Sequence, residues 1–295
     1  MARPTEADSE ESVPDSPRFT SIKRAWWQLR REWHIHLPLL FLIGLVVFPL
    51  VMVMMMSTQS IEQIRANQIT LGTQVIDNYA TALFDEGFLS YWQTSFIMST
   101  LIAVGKVSLA LTAAMALVYY DFPFQRVLLM VLLLALLLPI PVLIVPMFEL
   151  MSDLGQTNTM FALVVPYLAS PTALLLLYQH FRAIPDSYIE TAKLDDIGPI
   201  RFLVFVLIPM SKNMLLGLFV ISFIWGWNQY LWPLVAAGQS HTVVQVGLEG
   251  MTAEAAGETR WDVITAATMI ALLPPVVLLL MMRKQLLTTF NLQTK

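Results

Sequence analysis

The sequence has no cysteine and little charge for its length. Charged residues make up 13% of its 295 residues, whereas a soluble domain carries about 25%. The absence of cysteine excludes disulfides, iron–sulfur clusters and thiol catalysis. Four histidines give no metal site, because His34 and His36 point to different helix faces and the other two lie on opposite sides of the predicted membrane. No catalytic constellation or nucleic-acid-binding pattern is present, so we predict neither an enzyme nor a nucleic-acid-binding protein.

Apolar residues are abundant and come in long runs. They make up 57% of the chain, and the mean hydropathy is +0.65. Runs of about 20 apolar residues match the thickness of a bilayer, and without strand-like alternation they indicate helices rather than a barrel. We predict an all-α polytopic membrane protein with six transmembrane helices, at about 37–57, 93–120, 126–150, 160–181, 210–232 and 261–282.

The basic residues predict the orientation of these spans. With the N-terminus in the cytoplasm, 14 of the 17 Lys and Arg lie on the cytoplasmic side, and only Arg65 and Arg260 lie outside. The remaining one, Lys106, lies inside a span. Both termini are therefore predicted to be cytoplasmic, in a cell or inner membrane. The predicted parts are a cytoplasmic tail (1–35), a six-helix membrane domain (36–288) with a cytoplasmic loop at about 185–209, and a cytoplasmic end (289–295).

That loop places several charges within an otherwise apolar chain. The segment "YIETAKLDDIGPIRFLVFVLIPM" starts at Tyr188. Asp186 and Ser187 favour a helix start, and the Gly198–Pro199 pair favours a break followed by a second, interfacial helix. The short helix is either a solvated loop that fixes topology or a segment that docks into a groove of a soluble partner.

The same segment resembles the EAA loop of ABC-importer permeases. The corresponding positions are occupied by Glu190, Thr191, Ala192, Leu194, Asp195 and Pro209. Two positions depart from the family pattern: Thr191 stands in place of an alanine, and Asp196 in place of the usual glycine. Four further segments resemble the carbohydrate-uptake permeases, in particular those of glycerol-3-phosphate importers. They are "FIWGWNQYLWPL" (223–234), "GMTAEAAGETRWDV" (250–263), "LLPPVVLLLMMRK" (272–284) and "SFIMSTLIAVGKVSLALTAAMALVYYDFP" (95–123). The likeness covers about 37–288.

The resemblance implies a type I ABC-importer permease fold and an ATPase-coupling helix. The coupling residues it implies are Ser187, Tyr188, Ile189, Glu190, Thr191, Ala192, Lys193, Leu194, Asp195, Asp196 and Gly198. It further implies a second homologous permease, a dimer of cytoplasmic ATPase subunits and an extracytoplasmic solute-binding protein as partners, within the lipid membrane. ATP and Mg would belong to the ATPase, because this chain has no nucleotide-binding motif and is expected to hold no cofactor.

The substrate that the resemblance implies is sn-glycerol-3-phosphate or a glycerophosphodiester, with a neutral sugar or oligosaccharide as the alternative. A stand-alone secondary transporter fits less well, since no internal repeat is visible and Glu149 is the only carboxylate near a span interior.

Lys106 is the first candidate for the substrate pathway. A lysine within a span costs several kcal/mol unless it is paired or hydrated. It either faces the cavity and attracts an anionic substrate, or it is structural and bonds to carbonyls or to Glu149.

An aromatic cluster at the outer end of the fifth span is the second candidate. Trp225, Trp227, Tyr230 and Trp232 surround the polar Asn228 and Gln229. Such rings either anchor the span at the membrane interface or bind a polyol. We carry Trp227, Asn228, Gln229 and Tyr230 forward as substrate-pathway candidates.

Overall fold

Helices form the framework of the chain in a computed structural model. The structure describes residues 33–185, 187–190, 197–253 and 259–291, and this part of the chain contains no strand. Two units are distinguished, Met1–Met52 and Val53–Lys295. The helices are α1 (Trp33–Met56), α2 (Ile61–Arg65), α3 (Val75–Ala80), α4 (Phe88–Tyr119), α5 (Gln125–Ala135), α6 (Ile140–Asp153), α7 (Met160–Val164), α8 (Pro171–Arg182), α9 (Pro199–Trp227), α10 (Leu231–Ala236), α11 (Val244–Ala253) and α12 (Trp261–Asn291).

Four of these helices are long and apolar enough to cross a bilayer alone: α1, α4, α9 and α12. A bent pair, Met160–Tyr167 and Pro171–Arg182, makes a fifth crossing if its two parts are taken together. The predicted all-helical, multi-pass membrane fold is thus confirmed. The count of six spans stays a prediction, because its third span has a different form.

The predicted third span, 126–150, is divided into α5 and α6. Neither helix is long enough to cross a bilayer by itself. Pro139 is the N-cap of α6 in an extended conformation, and Pro141 follows in its first turn. Proline lacks the N–H that would continue α5 and holds the preceding residue away from helical angles. These prolines therefore end one helix and begin another.

The predicted fifth span, 210–232, has different bounds. The helix α9 already begins at Pro199, so the expected interfacial helix is continuous with the span. A π-helical stretch, Leu203–Leu207, precedes Pro209 and loosens the backbone where that proline cannot donate a hydrogen bond. The span ends at Trp227 with Asn228 as C-cap, rather than at 232.

Small residues on α4 make it the centre of the second unit, where it packs against α8, α9 and α11. Ala103, Ala110 and Ala114 are buried along it. Gly226 of α9 faces Ser99, and a Cβ at Gly226 would lie 3.1 Å from the Cα of Ser99. Small side chains let helix backbones approach closely in membranes, so α4 and α9 are held in a fixed register.

A buried amide network stabilises the segment between α1 and α4. Gln59 is 1% exposed, and its Nε2 donates to the carbonyls of Gln68 at 2.7 Å and Thr70 at 2.5 Å. Asn78 Nδ2 donates to the carbonyls of Ser57 and Gln59. Because these carbonyls accept hydrogen bonds from two buried side-chain amides, the loop is tied together across residues 57–78.

We expect Gln59→Ala to destabilise this loop by about 2 kcal/mol, because two partly buried hydrogen bonds are lost that contribute about 1 kcal/mol each. The matched control is Gln68→Ala, whose side chain is exposed and whose loss should stay within about 0.5 kcal/mol. Amide hydrogen exchange over residues 57–80 measures the difference. Equal exchange in the two variants would contradict this role of Gln59.

Candidate functional site

The ammonium of Lys106 lies against an aromatic ring in the middle of the second unit. Lys106 is 8% exposed, and its Nζ lies 3.3 Å from the centroid of the Trp225 ring and 5.9 Å from that of Tyr167. Within the described part of the chain it forms neither a hydrogen bond nor an ion pair. The cation is therefore held by π-electron faces, which attract ammonium groups, and not by Glu149 or a carbonyl.

Three different elements position this group. Lys106 comes from the centre of α4, Trp225 from the last turns of α9, and Tyr167 from the 3-10 turn that follows α7. The Tyr167 and Trp225 rings meet edge to face, with centroids 4.6 Å apart at 89°. This arrangement fixes the Trp225 ring, so the ammonium has a rigid surface to lie on.

A cavity of about 520 Å³ opens beside Lys106. It is bounded by α4, the ends of α5 and α6, the break between α7 and α8, and α9. Its walls are mainly apolar, and its polar members are Lys106, Tyr167, Ser170, Thr172, Ser222 and Trp225. Ligand sites commonly have such a composition, with a few polar groups in an apolar wall. The volume is ample for a small phosphate ester.

The break between α7 and α8 brings a helix start to this cavity. Ser170 caps α8, its Oγ accepting from the Ala173 N–H at 3.3 Å, and Pro171 occupies the first helical position. The two parts of the span bend by 44° here. Residues 169–173 line the cavity, so the amino-terminal end of α8 lies beside it.

The other predicted substrate-pathway residues lie elsewhere. Trp227 is 1% exposed; its Nε1 donates to the Ala271 carbonyl at 3.1 Å, which joins α9 to α12. Asn228 and Gln229 donate to the carbonyls of Ile224 and Trp225 at the end of α9, and Tyr230 is the N-cap of α10. Lys106 alone among the predicted residues lines the cavity.

Besides Tyr167, Trp225 is a cavity aromatic that the sequence reasoning did not select. It belongs to the aromatic cluster, but the cluster alone does not distinguish its members. A signal was present in the helical spacing: Ser222 and Trp225 lie three residues apart and share a face, whereas Trp227, two residues beyond Trp225, points elsewhere. Both Ser222 and Trp225 line the cavity.

The predicted coupling segment is helical over residues 187–190. Ser187, Tyr188 and Glu190 are exposed, whereas Ile189 packs against a buried cluster. Six residues of the predicted coupling segment lie outside the described residues: Thr191, Ala192, Lys193, Leu194, Asp195 and Asp196. Gly198 is the N-cap of α9 with φ −66° and ψ 163°, so it is extended and does not use the left-handed conformation available to glycine.

The buried cluster beneath this segment joins the ends of three helices. Tyr119 of α4 donates a hydrogen bond from Oη to the Phe181 carbonyl of α8 at 3.1 Å. Its ring also meets that of Phe202 in α9, with centroids 5.3 Å apart at 88°. Ile189 and Ile197 pack against the same cluster. The segment therefore contacts the cluster at which α4, α8 and α9 meet.

Comparisons with known proteins agree with this architecture. Residues 106–287 match the family described as binding-protein-dependent transport system inner membrane component. The sn-glycerol-3-phosphate transport system permease protein UgpE of Salmonella typhi is 35% identical over 248 residues, which cover 81% of this chain and 88% of that protein. UgpE of Escherichia coli O6:K15:H31 is 33% identical over the same length and coverage.

Solved structures show the same fold. A chain from a bacterial ABC transporter involved in the import of the acidic polysaccharide alginate superposes with a TM-score of 0.76 at 19% identity, covering 92% of this chain and 99% of that one. A second alginate transporter structure, in complex with an alginate pentasaccharide-bound periplasmic protein, gives a TM-score of 0.62 at 15% identity, covering 88% and 96%.

We expect Lys106→Met to leave thermal stability unchanged or to raise it. Burying an ammonium in a membrane helix costs about 2.5–3.5 kcal/mol, whereas a desolvated cation–π contact returns about 2 kcal/mol. Methionine keeps the chain length without the charge. Thermal unfolding of the purified protein in detergent measures the effect, with the exposed Lys212→Met as control. A loss of 1 kcal/mol or more at Lys106 would mean that this lysine is retained for stability.

Proposed function

The chain belongs to the family of inner membrane components of binding-protein-dependent transport systems, and we propose that it is a permease subunit for sn-glycerol-3-phosphate or a related glycerophosphodiester. It would import this solute by alternating access, driven by ATP hydrolysis in a separate subunit. It would not itself be an enzyme, and ATP and Mg would bind to the ATPase rather than to this chain.

The observation that carries the substrate proposal is the position of Lys106. A phosphate ester is an anion, and an anion in a mainly apolar cavity needs a cation to offset its desolvation. Lys106 supplies this cation at the cavity wall. Among the described residues, no carboxylate forms an ion pair with its ammonium. The UgpE relatives, which share about a third of their aligned residues with this chain, favour the same class of substrate.

The proposed partners follow from the family. A second permease subunit would complete the translocation pathway, an extracytoplasmic solute-binding protein would deliver the substrate, and a dimer of cytoplasmic ATPase subunits would hold the segment at 187–198. The chain crosses the membrane several times, and we propose that both termini are cytoplasmic, because that places 14 of its 17 Lys and Arg on the cytoplasmic side.

In the proposed mechanism the ATPase acts on the coupling segment. Closure of the ATPase dimer around ATP would displace the exposed face of residues 187–190, which carries Glu190. Ile189 would pass the displacement to the cluster around Tyr119 and Phe181. Because this cluster joins α4, α8 and α9, the helices around the cavity would then move together and open it to the outside.

The proposal is tested with the importer reconstituted in liposomes. The complex contains this chain, its second permease, the ATPase and the solute-binding protein of the same system. We expect sn-glycerol-3-phosphate to stimulate ATP hydrolysis and to accumulate inside, whereas maltose should do neither. Stimulation by the neutral sugar alone would establish the alternative substrate class and refute the anionic one.

We expect Glu190→Ala to lower substrate-stimulated ATP hydrolysis and uptake at least tenfold, because the ATPase would lose a charged contact worth about 1.5–3 kcal/mol. Asp121→Ala provides the control, since Asp121 is also exposed and on the side predicted to be cytoplasmic. Co-purification of the ATPase with the variant is measured in parallel. Full coupling in the Glu190→Ala complex would show that this residue does not contact the ATPase.

A further inference from the structure

The start of α8 leaves polar groups unsatisfied at the cavity wall. Pro171 has no N–H, and the Ala173 N–H is taken by Ser170 Oγ. The Thr172 N–H and the Thr172 hydroxyl have no hydrogen-bond partner among the described residues, and Thr172 is exposed at the cavity. The aligned dipoles of a helix place about +0.5 elementary charge at its amino-terminal end, and such ends bind phosphates.

A second observation points to the same ligand. Lys106 is more than nine-tenths buried and lines the same cavity, and its ammonium has only aromatic faces against it in the described structure. A cation–π contact uses none of the three N–H donors of an ammonium. Lys106 therefore retains its hydrogen-bonding capacity for a group that enters the cavity.

We propose that the cavity contains a phosphate-binding subsite formed by Lys106 and the amino-terminal end of α8. The Lys106 ammonium, the Thr172 N–H and the hydroxyls of Thr172 and Ser170 donate to the phosphate oxygens. Trp225 holds the ammonium at the cavity wall before the anion arrives. This assignment rests on the proposed function and specifies where the charged end of the substrate lies.

The charge of this subsite favours a phosphate monoester over a diester. One elementary charge from Lys106 and about half a charge from the helix end give about +1.5. A phosphate monoester carries about −1.5 to −2 at neutral pH, whereas a diester carries about −1. The charge of the subsite therefore balances that of a monoester. The importer should move sn-glycerol-3-phosphate faster than a glycerophosphodiester.

The test measures uptake of both radiolabelled compounds by liposomes that contain the complete importer. Lys106→Gln should lower uptake of the monoester about 10- to 100-fold, the loss expected for one charged hydrogen bond, and should bring the monoester-to-diester ratio close to one. Lys106→Arg keeps the charge and should restore the ratio. Thr172→Val removes one hydroxyl and should lower monoester uptake about 3- to 10-fold.

Matched controls separate the subsite from general damage. Lys212→Gln and Thr112→Val make the same replacements at exposed positions that do not line the cavity, and uptake should stay within about twofold. ATP hydrolysis with unloaded binding protein should also be unchanged in Lys212→Gln and Thr112→Val. If Lys106→Gln fails to assemble, the monoester uptake of Thr172→Val and the monoester-to-diester ratio of Lys106→Arg decide the outcome.

Two results would overturn the proposal, and they differ. If the wild-type importer moves neither phosphate compound, the proposed function fails and the subsite fails with it. If the wild-type importer moves them but Lys106→Gln keeps the wild-type ratio, or Thr172→Val behaves as Thr112→Val does, the subsite is wrong and the proposed function stands.

Discussion

The contact between the Lys106 ammonium and the Trp225 ring is the constraint around which the central part of the structure is arranged. A lysine inside a span must have a partner or water, and here the partner is an aromatic face at 3.3 Å. Holding that face in place requires α9 to approach α4 closely, which Gly226 and Ser99 permit. It also requires Tyr167 at the edge of the ring, and hence the turn between α7 and α8. The cavity lies beside these three side chains, Lys106, Trp225 and Tyr167.

The broken span has a functional as well as a structural consequence. A continuous helix would satisfy its own backbone groups within the membrane. The break at Ser170–Pro171 instead places an amino-terminal helix end next to a cation, so both attract negative charge to one place. At the other end of the same helix, Phe181 contacts Tyr119 and the cluster beneath the coupling segment. The helix α8 thus joins the proposed binding end of the cavity to the segment that we propose contacts the ATPase.

Apolar runs and basic residues were sufficient to predict a multi-pass helical protein, because bilayer thickness dictates span length. They could not predict that Pro139 and Pro141 divide the third span, since proline occurs both within and between membrane helices. Lys106 was identified because a buried cation is unusual. Trp225 was not, because its importance depends on which face of α9 meets α4, a tertiary property. Trp227, the more conspicuous candidate, packs against α12 instead. The Gly198–Pro199 pair begins a helix as predicted, with Gly198 as the N-cap of α9.

The central claim is that the cavity beside Lys106 is electropositive, and labelling of a single cysteine tests it most directly. The chain has no native cysteine, so Ser222→Cys places one thiol at the cavity wall and Leu101→Cys provides a control on α4 away from it. In an importer whose partners also lack cysteine, the account predicts that an anionic thiosulfonate labels position 222 about tenfold faster than its trimethylammonium counterpart. Substrate-loaded binding protein should protect this position, and position 101 should remain unlabelled. Faster reaction with the cationic reagent, or no reaction at 222, would contradict it.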